Sequence, residues 1–176
     1  MNITVYCGSN FGDNPHFEEA AHDLGAWIAR AGHTLVYGGS SVGLMGAVSR
    51  AAIEGGAPVI GVEPECFMAQ DLQHDGLTQL IVTRSMAERK AKMIQLGDAF
   101  IAFPGGTGTL EEITEVMSQV SLGQLSAPCI LYDLDGYYCH LKALLDHMIA
   151  SGLSSPERQR GIHFAQNLPE IQVLLS

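Results

Sequence analysis

Basic residues are scarce in this chain. Lysine and arginine together number 9 against 19 acidic residues, a formal net charge of −10 over 176 residues. A nucleic-acid surface needs a basic field, so that class of partner is excluded, and an anionic ligand must be held by local donors. No run of 18 or more apolar residues occurs, and Met1-Asn2-Ile3-Thr4 leads into a short strand rather than a charged leader. Neither a membrane partner nor export is expected, which places the protein in the cytoplasm. Cys7, Cys66, Cys129 and Cys139 lack C-x-x-C spacing and are expected to be reduced core thiols. The histidines show no H-E-x-x-H or comparable ligand spacing, so no metal site is indicated. No G-x-S-x-G or Cys–His arrangement supports acyl transfer. Lys90, Lys92 and Lys142 lack the setting of a Schiff-base lysine, and no cofactor is expected.

What the chain does have is alternation. Apolar runs that read as strands lie at 3–7, 34–37, 58–62, 77–83, 99–103 and 128–132. Between them, helical spacing predicts helices over 15–31, 42–54, 85–96, from the glycine turn to about 122, and over 138–150. Residues 65–76 read as a short helix and loop, and the tail as two weaker helical pieces near 156–161 and 168–174. The pattern predicts an α/β fold: a Rossmann-like, doubly wound, mostly parallel sheet with helices on both faces. The length suits one catalytic domain over residues 1–176. In such sheets ligands bind beyond the carboxyl ends of the strands. Gly8-Ser9, Gly38-Gly39, Arg84-Ser85 and Gly105-Gly106 all follow strands, so they are expected to converge on one rim.

The central stretch is Pro104-Gly105-Gly106-Thr107-Gly108-Thr109-Leu110-Glu111-Glu112, which follows a strand and opens a helix. Its glycines are expected to permit positive φ and close approach of a ligand. Hydroxyls from Thr107 and Thr109, with the unpaired first helical amides, suit a phosphate. A purely structural reading makes Thr109 an N-cap, with the two glutamates favouring the positive helix end. Consecutive helical residues point about 100° apart, so only one of Glu111 and Glu112 can face a ligand. Glu111, Glu115 and Ser118 share the other face. A second glycine series, Gly39-x₃-Gly43-x₂-Gly46, lacks the Gly-x-Gly opening of a dinucleotide fingerprint and follows the second strand. Gly43 and Gly46 can instead serve helix–sheet packing.

Pro-Gly-Gly-x-Gly-Thr-x-x-Glu over 104–112 resembles the motif of the LOG ("lonely guy") family, the cytokinin riboside 5′-monophosphate phosphoribohydrolases, formerly often labelled lysine decarboxylases. The likeness extends to Cys7-Gly8-Ser9, to residues 37–46, to Met86-Ala87-Glu88-Arg89-Lys90-Ala91 and to Asp135-Gly136-Tyr137-Tyr138. It implies a catalytic pair, Arg89 and Glu112. It also implies substrate contacts from Gly8, Ser9, Gly39, Gly43, Asp71, Met86, Lys90, Gly105, Gly106, Thr107, Gly108, Thr109, Leu110, Glu111 and Ser118. The implied reaction is hydrolysis of the N-glycosidic bond of a purine nucleoside 5′-monophosphate, in a homodimer with sites near the subunit boundary. A basic residue in so acidic a chain points the same way for Arg89, whose guanidinium offers a fixed fork of donors.

The chain departs from the family pattern at several positions. Asp71 stands for a Glu and Ser118 for a Thr, while Gln119 and Ser121 replace Trp and Gln. Thr107 replaces a Tyr, Ser40 a Gly, and Glu63 an apolar residue. These departures bear on which base is accepted. The alternative from another class is a nucleotide- or cofactor-binding carrier of the same fold, similar to molybdenum-cofactor carriers. A carrier would not need the Arg89–Glu112 pair.

Overall fold

The computed structural model describes residues 1–68 and 75–176. Seven strands alternate with helices: β1 (Asn2–Tyr6), α1 (His16–Arg30), β2 (Thr34–Tyr37), α2 (Gly43–Glu54), β3 (Val59–Pro64) and α3 (Glu65–Met68). They continue as β4 (Gln79–Thr83), α4 (Met86–Leu96), β5 (Ala99–Ala102), α5 (Thr107–Ser121) and β6 (Cys129–Tyr132). After a short 3₁₀ turn come α6 (Cys139–Ala150), α7 (Pro156–Gln159), β7 (Ile162–Ala165) and α8 (Leu168–Leu174).

The strands form one sheet in the order β4-β3-β2-β1-β5-β6-β7. Every pairing in it is parallel. This is the doubly wound Rossmann-like arrangement. The chain runs outward from β1 to β4, then crosses to β5 on the other side of β1. The switch between β1 and β5 opens a crevice at the carboxyl ends of those two strands.

Alternate residues of each strand serve the two faces. Ile3, Val5 and Cys7 of β1 and its exit, with Leu35, Tyr37, Ile101 and Ile130, pack under α1 and α2. Tyr6, Val36, Phe100 and Leu131 pack with Met93 of α4 and Ile113, Val116 and Met117 of α5. Burial on both faces is why β5 and β6 read as continuous apolar runs.

Local chemistry fixes the helix starts. Ser85 Oγ accepts the Glu88 amide at 3.2 Å, and the Glu88 carboxylate accepts the Arg84 amide at 3.0 Å, so α4 begins at Met86 with a side-chain cap. Asn167 caps α8 in the same way, through the Glu170 amide at 3.0 Å. By contrast α5 has no side-chain cap: Gly106 is its N-cap and Thr107 its first residue. Thr109 is therefore inside the helix and not its cap.

Three further expectations are corrected. Residues 162–165 form a seventh strand, which the sequence reading passed over between two helical pieces. It is a four-residue edge strand with only Ala165 fully buried, too short and too exposed to show as an apolar run. Cys66 and Cys139 are exposed, whereas Cys7 and Cys129 are core residues. Gly43 and Gly46 serve loop approach rather than helix–sheet packing. A Cβ at Gly43 would lie 2.3 Å from the Ser9 backbone, and one at Gly46 would lie 2.1 Å from the Ser41 carbonyl oxygen.

α1 and α2 touch closely at Gly25, where a Cβ would stand 2.2 Å from the Val48 carbonyl oxygen. Gly25→Ala is expected to destabilise the fold by about 1–3 kcal/mol, since two backbones must separate to admit one methyl group. Urea unfolding measures it, and a loss below a few tenths of a kcal/mol would contradict that packing.

Candidate active site

Loops leaving β1 and β5 are tied together at the crevice. Gly8 N donates to the Pro104 carbonyl at 3.2 Å, and Phe103 N to the Tyr6 carbonyl at 2.8 Å. Gly105 then passes so close that a Cβ would stand 2.2 Å from Thr109 Oγ1 and 2.9 Å from Gly8 N. Only glycine fits. The turn does not use positive φ, however: Gly105, Gly106 and Gly108 are absent from the left-handed residues. At Gly106 and Gly108 a Cβ would meet nothing within 4 Å, so their bareness leaves the surface open to a ligand. The helix of α5 begins there without a side-chain cap, which leaves the amides of 107–109 free to meet an anion.

A second brace comes from the segment after β6. Asp135, the one non-glycine residue with positive φ among the described residues, accepts from Asn14 Nδ2 at 2.8 Å and faces His16 Nδ1 at 2.9 Å. This fixes the turn that carries two tyrosines. Tyr137 donates its hydroxyl to the Gly105 carbonyl at 2.6 Å, and Tyr138 donates to the Phe103 carbonyl at 2.8 Å.

Beside the turn lies a cavity of about 380 Å³. Its lining includes Gly8, Ser9, Met86, Arg89, Gly106, Thr107, Gly108, Thr109 and Glu112 from the predicted set. Gly38, expected on the same rim, also lines it, together with Tyr6, Met45, Phe67 and Met93, which no sequence signal placed there. An adjoining cavity of about 260 Å³ shares Gly8, Ser9 and Gly106 and adds Gly105, Phe11, Phe17 and Tyr137. Tyr137 belongs to a motif visible in the sequence, but nothing local to it signalled contact with a turn 32 residues away.

Arg89 and Glu112 meet at the cavity wall, Nη1 donating to Oε1. Each residue is only 7% exposed. Glu112 is thus a buried residue. Arg89 is further held by Nε donating to the Val62 carbonyl at 2.9 Å. Gly38 makes room for the guanidinium, since a Cβ there would lie 2.6 Å from Arg89 Nη2. Burial pushes the Glu112 pKa above the usual carboxylate value, while the Arg89 charge and hydrogen bond oppose that rise.

The other predicted residues lie elsewhere. Lys90 Nζ pairs with Glu111 Oε1 at 2.7 Å and with Glu115 Oε2 at 3.0 Å, on the outward face of α4 and α5. Those carboxylates hold the Lys90 pKa above its ordinary value. Leu110 is 41% exposed, and Ser118 is exposed on the same helix. None of these five residues lines the cavity. Gly39, at φ +91, turns away against Glu63, and Gly43 supports Ser9 from behind. Asp71 lies outside the described residues. Among those residues, no group of three His, Cys, Asp or Glu side chains is placed to share a metal ion.

A family profile and curated relatives both match most of this chain. The profile of the family described as "Possible lysine decarboxylase" matches residues 45–174. A cytokinin riboside 5′-monophosphate phosphoribohydrolase of Rhodococcoides fascians is 44% identical, over 88% of this chain and 79% of that protein. One of the same activity name from Arabidopsis thaliana is 42% identical, over 96% of this chain and 78% of its own. Among solved structures, the molybdenum cofactor carrier protein of Chlamydomonas reinhardtii aligns with a TM-score of 0.73 at 22% identity, covering 99% of this chain and 94% of that one. The molybdenum cofactor binding protein of Rippkaea orientalis aligns with a TM-score of 0.69 at 22% identity, covering 99% and 97%. Likeness at that identity carries the fold alone.

Removing Arg89 takes away the main opposition to the burial of Glu112. Arg89→Met is therefore expected to raise the Glu112 pKa further, read by carbon-13 NMR of its carboxyl group. A carboxyl whose folded pKa is raised binds more protons folded than unfolded. Its contribution to stability is full below the ordinary value of 4.5 and is lost as pH rises through the folded-state value. The variant's stability should thus fall more steeply than wild type between those two values. An unchanged or lowered Glu112 pKa would refute the electrostatic balance described here.

Proposed function

The chain belongs to the cytokinin riboside 5′-monophosphate phosphoribohydrolase family, and on that premise we propose that it hydrolyses the N-glycosidic bond of purine nucleoside 5′-monophosphates to free base and ribose 5-phosphate. The observation that carries this reading is the buried Arg89–Glu112 pair beside an uncapped helix N-terminus. A phosphate group fits the open amides of 107–109, with Ser9 and Thr107 at hand on the cavity wall. Anchoring there brings the sugar toward Glu112, one helical turn further along α5.

Glu112 then faces a centre where positive charge develops as the glycosidic bond breaks. Its carboxylate stabilises that oxocarbenium-like centre and aligns or deprotonates the attacking water. Arg89 aims the carboxylate and offers its remaining donors to substrate. A raised Glu112 pKa brings this base nearer to neutrality, where a general base is most effective. Because the protein carries a net charge of −10, the substrate phosphate depends on these local donors.

The decarboxylase wording of the family profile finds no support in the residues. Lys90 is engaged by Glu111 and Glu115, Lys92 by Gln95 and Lys142 by Asp146, and none of them lines the cavity. The carrier alternative has only a likeness of fold at 22% identity behind it, and a carrier has no use for a buried acid with a raised pKa. The exposed face of α5 with Leu110, Glu111 and Ser118 suits a homodimer boundary, through which these residues would meet the base end of a substrate in the neighbouring site. Four free cysteines suit a reducing compartment, the cytoplasm.

The direct test is to incubate the protein with AMP and with isopentenyladenosine monophosphate and to measure free base. Both arms without product would overturn the reading. Monophosphates should be cleaved at least about 100-fold faster than the matching nucleosides, because phosphate binding positions the sugar; equal rates would remove the turn from the mechanism. Glu112→Gln should lower turnover about 10²–10⁴-fold with nucleotide binding retained. Glu111→Gln should change KM or base preference more than kcat, and equal inactivation of both variants at unchanged KM would reverse the two roles.

A further inference from the structure

Phenol groups around this site hold their hydroxyls on a partner: Tyr137 on the Gly105 carbonyl, Tyr138 on the Phe103 carbonyl. Tyr6 does not. Among the described residues, the buried side-chain oxygens without a hydrogen bond are the hydroxyls of Tyr6 and Tyr37. Tyr37 has the Ser49 hydroxyl beside it. Tyr6 has no such neighbour, although it is 2% exposed and its ring lies among Met93, Ile113 and Val116. Buried hydroxyls left without a partner are rare because they forfeit hydration for nothing, so each one asks for a reason.

Its position supplies the reason. Tyr6 lies at the carboxyl end of β1 and points to the α4–α5 face, where Arg89 and Glu112 close the same cavity. Met93 is one helical turn beyond Arg89 and Ile113 follows Glu112, so the residues clustered with Tyr6 neighbour the ion pair in sequence, and all three side chains line one cavity. Glu112 is the charged group that acts most strongly on it. Burial drives the phenol pKa far up and the Glu112 carboxylate adds to the rise, so the hydroxyl keeps its proton and remains a donor.

Building on the hydrolase reading above, we propose that Tyr6 is a positioning residue: its hydroxyl donates a hydrogen bond to the Glu112 carboxylate once bound substrate draws on Arg89, holding that carboxylate aimed at the sugar. In a ligand-free site such bonds are commonly long and close only around substrate. The charged and titratable groups acting on Glu112 are Arg89 and Lys90 from α4 and Glu111 from its own helix. From β1 and its exit they are Tyr6 and Cys7. β5 brings none, and Cys129 of β6 and Glu115 of α5 face Tyr6. Among these, the uncharged groups are Tyr6 and the two thiols, and the phenol is the strong hydrogen-bond donor while an S–H is a weak one.

The test is Tyr6→Phe, which removes one oxygen and keeps the ring. Thermal unfolding should show an unchanged or raised Tm, since an unpartnered buried hydroxyl is lost. Turnover should fall about 10-fold with KM within about twofold, the loss expected for a hydrogen bond to a charged group. A donor to the ionised carboxyl holds its pKa down, so the acid limb of kcat against pH should move up by about half a unit or more. Carbon-13 titration of the Glu112 carboxyl with saturating ribose 5-phosphate should show the same rise. A clear drop in Tm would assign the hydroxyl a structural bond and overturn the proposal. So would an unshifted Glu112 titration. Wild-type protein that released no base would overturn the hydrolase reading instead, and the carboxyl titration would still decide on Tyr6.

Discussion

The contact between Arg89 and Glu112 is the constraint around which the rest of the site is arranged. It joins α4 to α5 across the carboxyl end of β1, where two ionised groups are almost closed off from water. A buried ion pair contributes little net stability, because removing both charges from water offsets their attraction. Its surroundings are nonetheless built to keep it. Gly38 is bare so that the guanidinium fits, and Val62 lends Arg89 a carbonyl. Ser85 caps the helix that carries Arg89, and Tyr137 holds the turn that starts the helix carrying Glu112. So much support for a pair of low structural value is what the proposed catalytic role would require.

Glycine does two different jobs around this pair. At Gly38 and Gly105 the missing Cβ lets a guanidinium and a backbone approach closely. At Gly106 and Gly108 it leaves empty surface in front of the helix amides. The first use positions the protein's own groups, and the second leaves room for something else. In a chain with a net charge of −10, that short line of open amides is where an anion can be held.

Much of this was legible in the sequence, and the misses have physical reasons. Alternating apolar runs and helical spacing are strong signals, and they gave the parallel sheet and the convergence of the loops on one rim. β7 was lost because an edge strand of four residues buries little and leaves no apolar run. The purely structural reading of Thr109 as a cap fails because a threonine after glycine reads as one, whereas the helix begins uncapped at Thr107, within the glycine turn where it was expected. Within α5 the 100° step separated the two glutamates: Glu112 turns inward to Arg89, and Glu111 turns outward to Lys90. Tyr6 and Phe67 could not be seen as neighbours of the cavity, since their placement depends on the sheet and the opposite loops closing around them.

If Arg89 and Glu112 work as one unit, their contributions to the reaction cannot be independent. A double-mutant cycle on base release, with Glu112→Gln, Arg89→Met and both together, tests this most directly. The double variant should be no slower than the worse single variant, since breaking either partner disables the same unit. Losses that multiply would mean that the two residues act separately, and would contradict it.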